Sequence, residues 1–177
     1  RGDLNREEER IMELIVAVDR AWGIGRDGDQ LCYAPADLKR FKALTTGHPV
    51  LLGRKTLATF PGGRPLKGRR NLILSATPGY AVEGAEVCPD LAAALAAAPE
   101  DTFVIGGESV YRALLPYCRT AYVTKLDAVF PADRHFPDLD ADPAWAVAET
   151  EGPYEHEGLA FTYVTYRRRT VSAAACR

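Results

Sequence analysis

The chain has 177 residues, 47 % of them hydrophobic and 26 % charged, with a formal net charge of −2. That balance suits one compact core. It offers no cationic excess for nucleic acid and no apolar run near the ~20 residues of a membrane span. No positively charged start leads into an apolar signal segment. The expectation is a cytoplasmic domain with neither a membrane nor a nucleic-acid partner.

Residues 1–11 are nearly all charged or polar, and Met12 directly precedes the first apolar run, so this stretch reads as an upstream extension or an expression remnant. The folded domain is expected over 12–168, with a solvated tail over 169–177. Between these ends strand-like and helix-like segments alternate. Leu14–Val18 is strand-like, Pro35 opens a helix, Val50–Leu52 is a strand and a short helix starts at Lys55. Leu72–Leu74 and a brief segment around Val87 follow as strands. Asp90 begins an alanine-rich helix towards Ala98, Thr102–Ile105 is a buried strand, Glu108–Leu115 is helical and Ala121–Leu126 is a strand. Trp145–Glu149 and Leu159–Arg167 are two strands with no helix between them, which implies an antiparallel finish. The pattern predicts one α/β domain: a mainly parallel central sheet of about eight strands, an antiparallel C-terminal edge and helices on both faces. Nothing marks a linker, a repeat or a second domain.

Cys32, Cys88, Cys118 and Cys176 form no C-x-x-C pair, and His48, His135 and His156 are dispersed, so neither a metal site nor a disulfide framework is expected.

Asp37 is the most informative residue. It follows Pro35 in the first turn of its helix, and Phe41 comes one turn later on the same face. Two readings stand. Proline then an acid is ordinary helix-start grammar that favours the helix dipole. The same acid with an aromatic beside it can hold the N–H edge of a flat, nitrogen-rich ring while the phenyl face covers the ring plane. They differ in burial, since a cap faces water and a ring-binding acid faces a cleft. Leu38 and Phe41 are expected to mark the apolar face of this helix.

Ligands of such sheets collect at the carboxyl ends of the strands, and three ends stand out. Val50-Leu51-Leu52-Gly53-Arg54-Lys55-Thr56 runs from a strand through glycine to two cations and a hydroxyl, a combination that attracts phosphate. Phe103-Val104-Ile105-Gly106-Gly107 runs into a helix across paired glycines, which let a backbone approach a ligand closely. Leu72-Ile73-Leu74-Ser75-Ala76-Thr77 ends in hydroxyls, near the cation-rich Arg64 to Arg70 segment. One phosphate-rich cofactor accounts for all three. Neither a Walker loop nor G-x-G-x-x-G is present.

In this order the motifs resemble dihydrofolate reductase from about Met12 to Arg168. The matching residues are Ile24-Gly25, Pro35-Ala36-Asp37-Leu38 with Phe41, Gly53-Arg54-Lys55-Thr56, Gly63-Arg64-Pro65-Leu66 with Arg69, Asn71 to Ser75, Ile105-Gly106-Gly107 with Tyr111, Thr124, and His135-Phe136-Pro137. The resemblance implies NADPH-dependent reduction of 7,8-dihydrofolate to tetrahydrofolate by a cytoplasmic monomer. It makes Asp37 the catalytic acid at the pterin, favouring protonated substrate while the proton arrives through water. Thr124 joins its hydrogen-bond set, Phe41 and Phe60 flank the substrate, Ile15 and Ile105 line the pterin site with Leu38, and Arg69 holds the glutamate carboxylate. For the cofactor, Arg54, Lys55, Thr56 and Ser75 match phosphate positions, and Ala17 and Ile24 match backbone contacts to the nicotinamide amide. Gly106-Gly107 implies a cis peptide beside the pyrophosphate. Gly25, Gly53, Leu74, Ala76, Ile105, Glu108, Ser109, Val110 and Tyr111 complete the cofactor set, and residues 24–31 match a mobile loop over the nicotinamide.

One departure stands out: the family's leucine, proline and tryptophan before the acid are Gln30-Leu31-Cys32 here. Loss of the indole removes apolar surface and an N–H donor, which implies altered inhibitor fit, a wetter pocket or a changed lid. A related NADPH reductase of the riboflavin pathway and a non-catalytic folate- or NADPH-binding relative remain as alternatives. The Asp37–Phe41 pair with Arg69 separates the first, and the retained acid with a full cofactor set separates the second.

Overall fold

The computed structural model describes residues 12–31 and 34–169. Its frame is an eight-stranded sheet built from β1 (Met12–Val18), β4 (Val50–Gly53), β5 (Asn71–Leu74), β6 (Ala85–Cys88), β7 (Phe103–Gly106), β8 (Cys118–Leu126), β10 (Trp145–His156) and β11 (Leu159–Arg168), in the order β10-β11-β8-β1-β7-β4-β5-β6. From β8 to β6 every pairing is parallel, and β11 pairs antiparallel with both β8 and β10. The expected architecture is met. The first strand of the C-terminal hairpin runs on to His156, well past the expected Glu149, and β8 begins three residues early.

Buried strands alternate between two cores. Leu14, Val16, Leu51, Leu72 and Val104 face one side, where α3 (Leu91–Ala97) and α4 (Glu108–Leu114) contribute Ala94, Val110, Tyr111 and Leu114. Ile15, Val50, Leu52, Ile73, Phe103 and Ile105 face the other, covered by Phe41 and Leu44 of α1 (Pro35–Thr45) and Leu57 of α2 (Arg54–Leu57). Helices therefore lie on both faces. Asp90 caps α3 by accepting the Ala93 amide at 2.8 Å.

On α1 the apolar face differs from the expected one. Phe41 packs into the second core and Thr45 is buried, but Leu38 is 48 % exposed. Rotation of 100° per residue carries position 38 to the flank once the entry of the helix turns Asp37 inward.

A second, three-stranded sheet was not foreseen. It comprises β2 (Gly23–Arg26), β3 (Asp29–Gln30) and β9 (Arg134–His135), in the order β3-β2-β9. Asp27 and Gly28 both take positive φ, the pairing a tight two-residue hairpin demands. Of the departure from the family pattern, Gln30 is exposed on β3 and Leu31 is half-buried, while Cys32 lies, with Tyr33, outside the described residues. No helix among the described residues is long and apolar enough to cross a membrane.

Leu51 is fully buried in a strand flanked on both sides. Leu51→Ala is expected to cost about 2–5 kcal/mol, read as a fall in the denaturant midpoint of unfolding.

Candidate active site

Strands β1 and β7 part company near their carboxyl ends. Their register stops at Leu14 opposite Val104, whereas β1 stays paired with β8 as far as Val18. The Ile15 carbonyl thereby loses its partner on the β7 side. The Tyr111 hydroxyl donates to it at 2.7 Å from α4. Burial and the nearby Asp37 carboxylate both push the Tyr111 phenol above its ordinary range, so it stays a donor. Its ring stands edge-on to Phe136 at 5.2 Å.

Asp37 lies beside this parting. Its Oδ1 accepts a hydrogen bond from the Thr124 hydroxyl at 2.5 Å, and no side chain caps the start of α1. The helix-start reading is thus displaced by the buried one. Burial raises the Asp37 carboxyl above its ordinary value, opposed by the Thr124 bond and then by the charge of Arg40. Ile15, Ile105, Phe41 and Phe60 belong to one apolar cluster on the face of the sheet that α1 covers. Arg69 sits at the far end of α1: Nη1 donates to the Thr45 hydroxyl at 3.1 Å and Nε to the Lys67 carbonyl at 2.9 Å. Leu38 is on the rim.

The glycine ends meet on the other side of the parting. The Gly106–Gly107 peptide is cis, and Gly106 has φ +134°, a conformation closed to other residues. A Cβ at Gly106 would lie 3.4 Å from the Thr56 hydroxyl and 3.5 Å from that of Tyr111; one at Gly107 would lie 3.3 Å from Thr56 Oγ1. Gly53 faces Val110, where a Cβ would come within 3.1 Å of Cγ2. Thr56, Gly53 and the paired glycines are therefore one close-packed cradle. Lys55 and Arg54 are exposed beside it, Arg54 donating to Thr77 Oγ1 at 3.0 Å with its guanidinium 5.3 Å from the Tyr80 ring centroid. Ser75 is buried at the end of β5, with Leu74 half-buried and Ala76 exposed.

Not all expected residues face this cradle. Val110 and Tyr111 are core residues that support the glycines from behind. Glu108 Oε2 accepts the His135 amide at 2.5 Å and so ties α4 to the small sheet, while Ser109 is exposed. Ala17 and Ile24 are half-buried, Ile24 packing against the first core, and a Cβ at Gly25 would come 2.8 Å from the Asp29 carbonyl.

Asp19 escaped the sequence reading. Although only 3 % exposed, it spends both carboxylate oxygens: Oδ1 accepts the Ala21 and Gly23 amides, each at 2.8 Å, and Oδ2 accepts Phe130 N at 2.9 Å. It anchors the hairpin's base to the segment after β8. Directly after an apolar run an acid reads as the exposed end of a strand; only Gly23 four residues on hinted at a turn.

A half-buried carboxylate held by a hydroxyl, with a glycine cradle and exposed cations at the strand ends, fits an α/β protein of the open-sheet, nucleotide-binding class. Sequence and structure comparisons narrow it. The family model for dihydrofolate reductase matches residues 11–168. Dihydrofolate reductase of Bacillus subtilis is 36 % identical over 160 residues, covering 85 % of this chain and 94 % of the relative. Dihydrofolate reductase type 3 of Salmonella typhimurium is 43 % identical, over 72 % of this chain and 79 % of the relative. The structure of Enterococcus faecalis dihydrofolate reductase complexed with NADP(H) and RAB-propyl superposes with a TM-score of 0.82 at 31 % identity, covering 92 % and 98 % of the two chains. The chain belongs to the dihydrofolate reductase family.

Tyr111→Phe removes the only side-chain bond described for the Ile15 carbonyl and is expected to destabilise the fold by about 1–3 kcal/mol, measured by denaturant unfolding.

Proposed function

We infer that this chain reduces 7,8-dihydrofolate to 5,6,7,8-tetrahydrofolate with NADPH, and that Asp37 is its catalytic acid. The observation that carries the mechanism is the Thr124–Asp37 bond: a half-buried carboxyl with one oxygen fixed presents the other to a ligand.

The residues present fit the cofactor. The Gly106–Gly107 cradle is space that any Cβ would fill, and Arg54, Lys55, Thr56 and Ser75 supply cations and hydroxyls for phosphates. Bound NADPH supplies the hydride. Ile15, Ile105, Phe41 and Phe60 exclude water from the ring plane and orient it. Asp37 accepts N–H bonds from the amino-pyrimidine edge and favours a proton on the neighbouring ring nitrogen, delivered by water. Arg69, already steadied by Thr45, is placed for the carboxylate of the glutamate tail. The hairpin from Gly23 to Gln30 is the cover over the nicotinamide, footed on Asp19. A cytoplasmic monomer completes the reading.

Asp37→Asn is expected to lower dihydrofolate-dependent NADPH oxidation by about 10²–10⁴-fold. Oxidation that proceeds without dihydrofolate, or undiminished in the Asn variant, sinks the assignment. The same variant has a stability signature. Because the folded carboxyl titrates higher than the unfolded one, the native state binds more protons between the two values and loses stability as pH rises through that window. Asp37→Asn should therefore melt higher than wild type above the folded value, and the difference should shrink as pH falls below the unfolded one. Gly107→Val is expected to weaken NADPH binding about tenfold or more, ~1.4 kcal/mol, with a smaller loss of melting temperature; unchanged affinity by titration would count against the cradle.

A further inference from the structure

Arg40 follows Asp37 by three residues, so the two side chains leave α1 as neighbours. The Arg40 guanidinium carbon lies 3.9 Å from the centroid of the Tyr163 ring. Tyr163 is no remote partner: the antiparallel register of β11 on β8 sets it directly opposite Thr124, the residue that holds Asp37. The ring is itself fixed, buried on β11 with Phe161 and Tyr154 around it, their centroids 5.6 Å away in each case. α1, β8 and β11 thus bring acid, hydroxyl, cation and aromatic into one constellation. A planar guanidinium stacked on a ring is held far more firmly than a free surface cation.

We propose that Arg40, clamped on Tyr163, is a positioning residue for the reaction: its fixed charge limits how readily a proton resides in the pocket at Asp37 and so sets the pH above which turnover falls. This rests on Asp37 being the catalytic acid. The groups facing Asp37 are Thr124 from β8, Tyr163 from β11, Tyr111 from α4 and Arg40 from its own helix, with Glu151 of β10 acting on Tyr163 from behind. Burial keeps both phenols protonated, so neither contributes charge in the neutral range. Burial drives Asp37 towards its neutral form, and Arg40 opposes that. A cation acts the same way on a proton held by the carboxyl or by the bound ring beside it, since each makes the pocket more positive.

The test follows the Asp37 carboxyl by carbon NMR titration, without substrate, and the pH profile of dihydrofolate-dependent NADPH oxidation at saturation. Arg40→Leu should move both midpoints upward by about 0.5–1 unit, extending turnover to more alkaline pH. Tyr163→Leu, which releases the guanidinium, should move both the same way by less; Arg40→Lys should fall between wild type and Arg40→Leu. Tyr163→Phe keeps the ring and should leave both where they are. Thermal melting verifies folding, and Arg40→Gln carries the same expectation where Arg40→Leu does not fold. An unmoved carboxyl midpoint in a folded Arg40 variant overturns the proposal whatever the activity, as does a moved carboxyl with an unmoved pH–rate midpoint. Activity independent of Asp37 or of dihydrofolate overturns the functional assignment instead, and leaves the titration result to be read on its own.

Discussion

The site depends on the parting of β1 from β7. Parallel strands ordinarily exhaust each other's carbonyls and amides, and a gap between two central strands strands polar groups in the core. Here one phenol closes that account: Tyr111 donates to the Ile15 carbonyl and keeps α4 seated behind the gap. With the strands held apart, Ile15 and Ile105 face a common apolar space, and Asp37 reaches it from α1 on one side. Gly106, the last residue of β7, reaches the same place from the other. Tyr111, bonded to the Ile15 carbonyl and beside Gly106, is common to both sides of the gap.

Electrostatics at the acid are a balance of three opposed effects. Burial pushes the carboxyl towards neutrality, while the Thr124 bond and the Arg40 charge draw it back. A fully exposed acid would sit mostly ionised at working pH and hold no proton; a buried one without a donor would abandon its charge altogether. The fold takes the middle course by placing one hydroxyl and one stacked cation beside it.

Much of this was legible in the amino-acid order. Strands buried on both faces must read as short continuous apolar runs, so Leu14–Val18, Val50–Leu52, Leu72–Leu74 and Thr102–Ile105 announced the sheet, and Gly53 and Gly106-Gly107 announced where two of its strands turn into helices. The small sheet was invisible because its strands are only two to four residues long and, Ile24 apart, are built of glycine and polar or charged residues. Asp19 was overlooked because no local pattern specifies its three amide partners, one of which lies 111 residues away in the chain. The Arg40–Tyr163 stack depends on the register of β11 against β8, a tertiary fact. Leu38 was placed on the wrong side of α1 because spacing alone fixes the width of an apolar face and not its rotation.

Arg69 carries a geometric restriction of its own. A guanidinium offers a carboxylate two edges, one along its side through Nε and one across its tip. With Nε committed to the Lys67 carbonyl and one Nη1 proton to Thr45, the side edge is spent and the tip remains. A carboxylate partner would therefore be met at that tip by a guanidinium already held at its side.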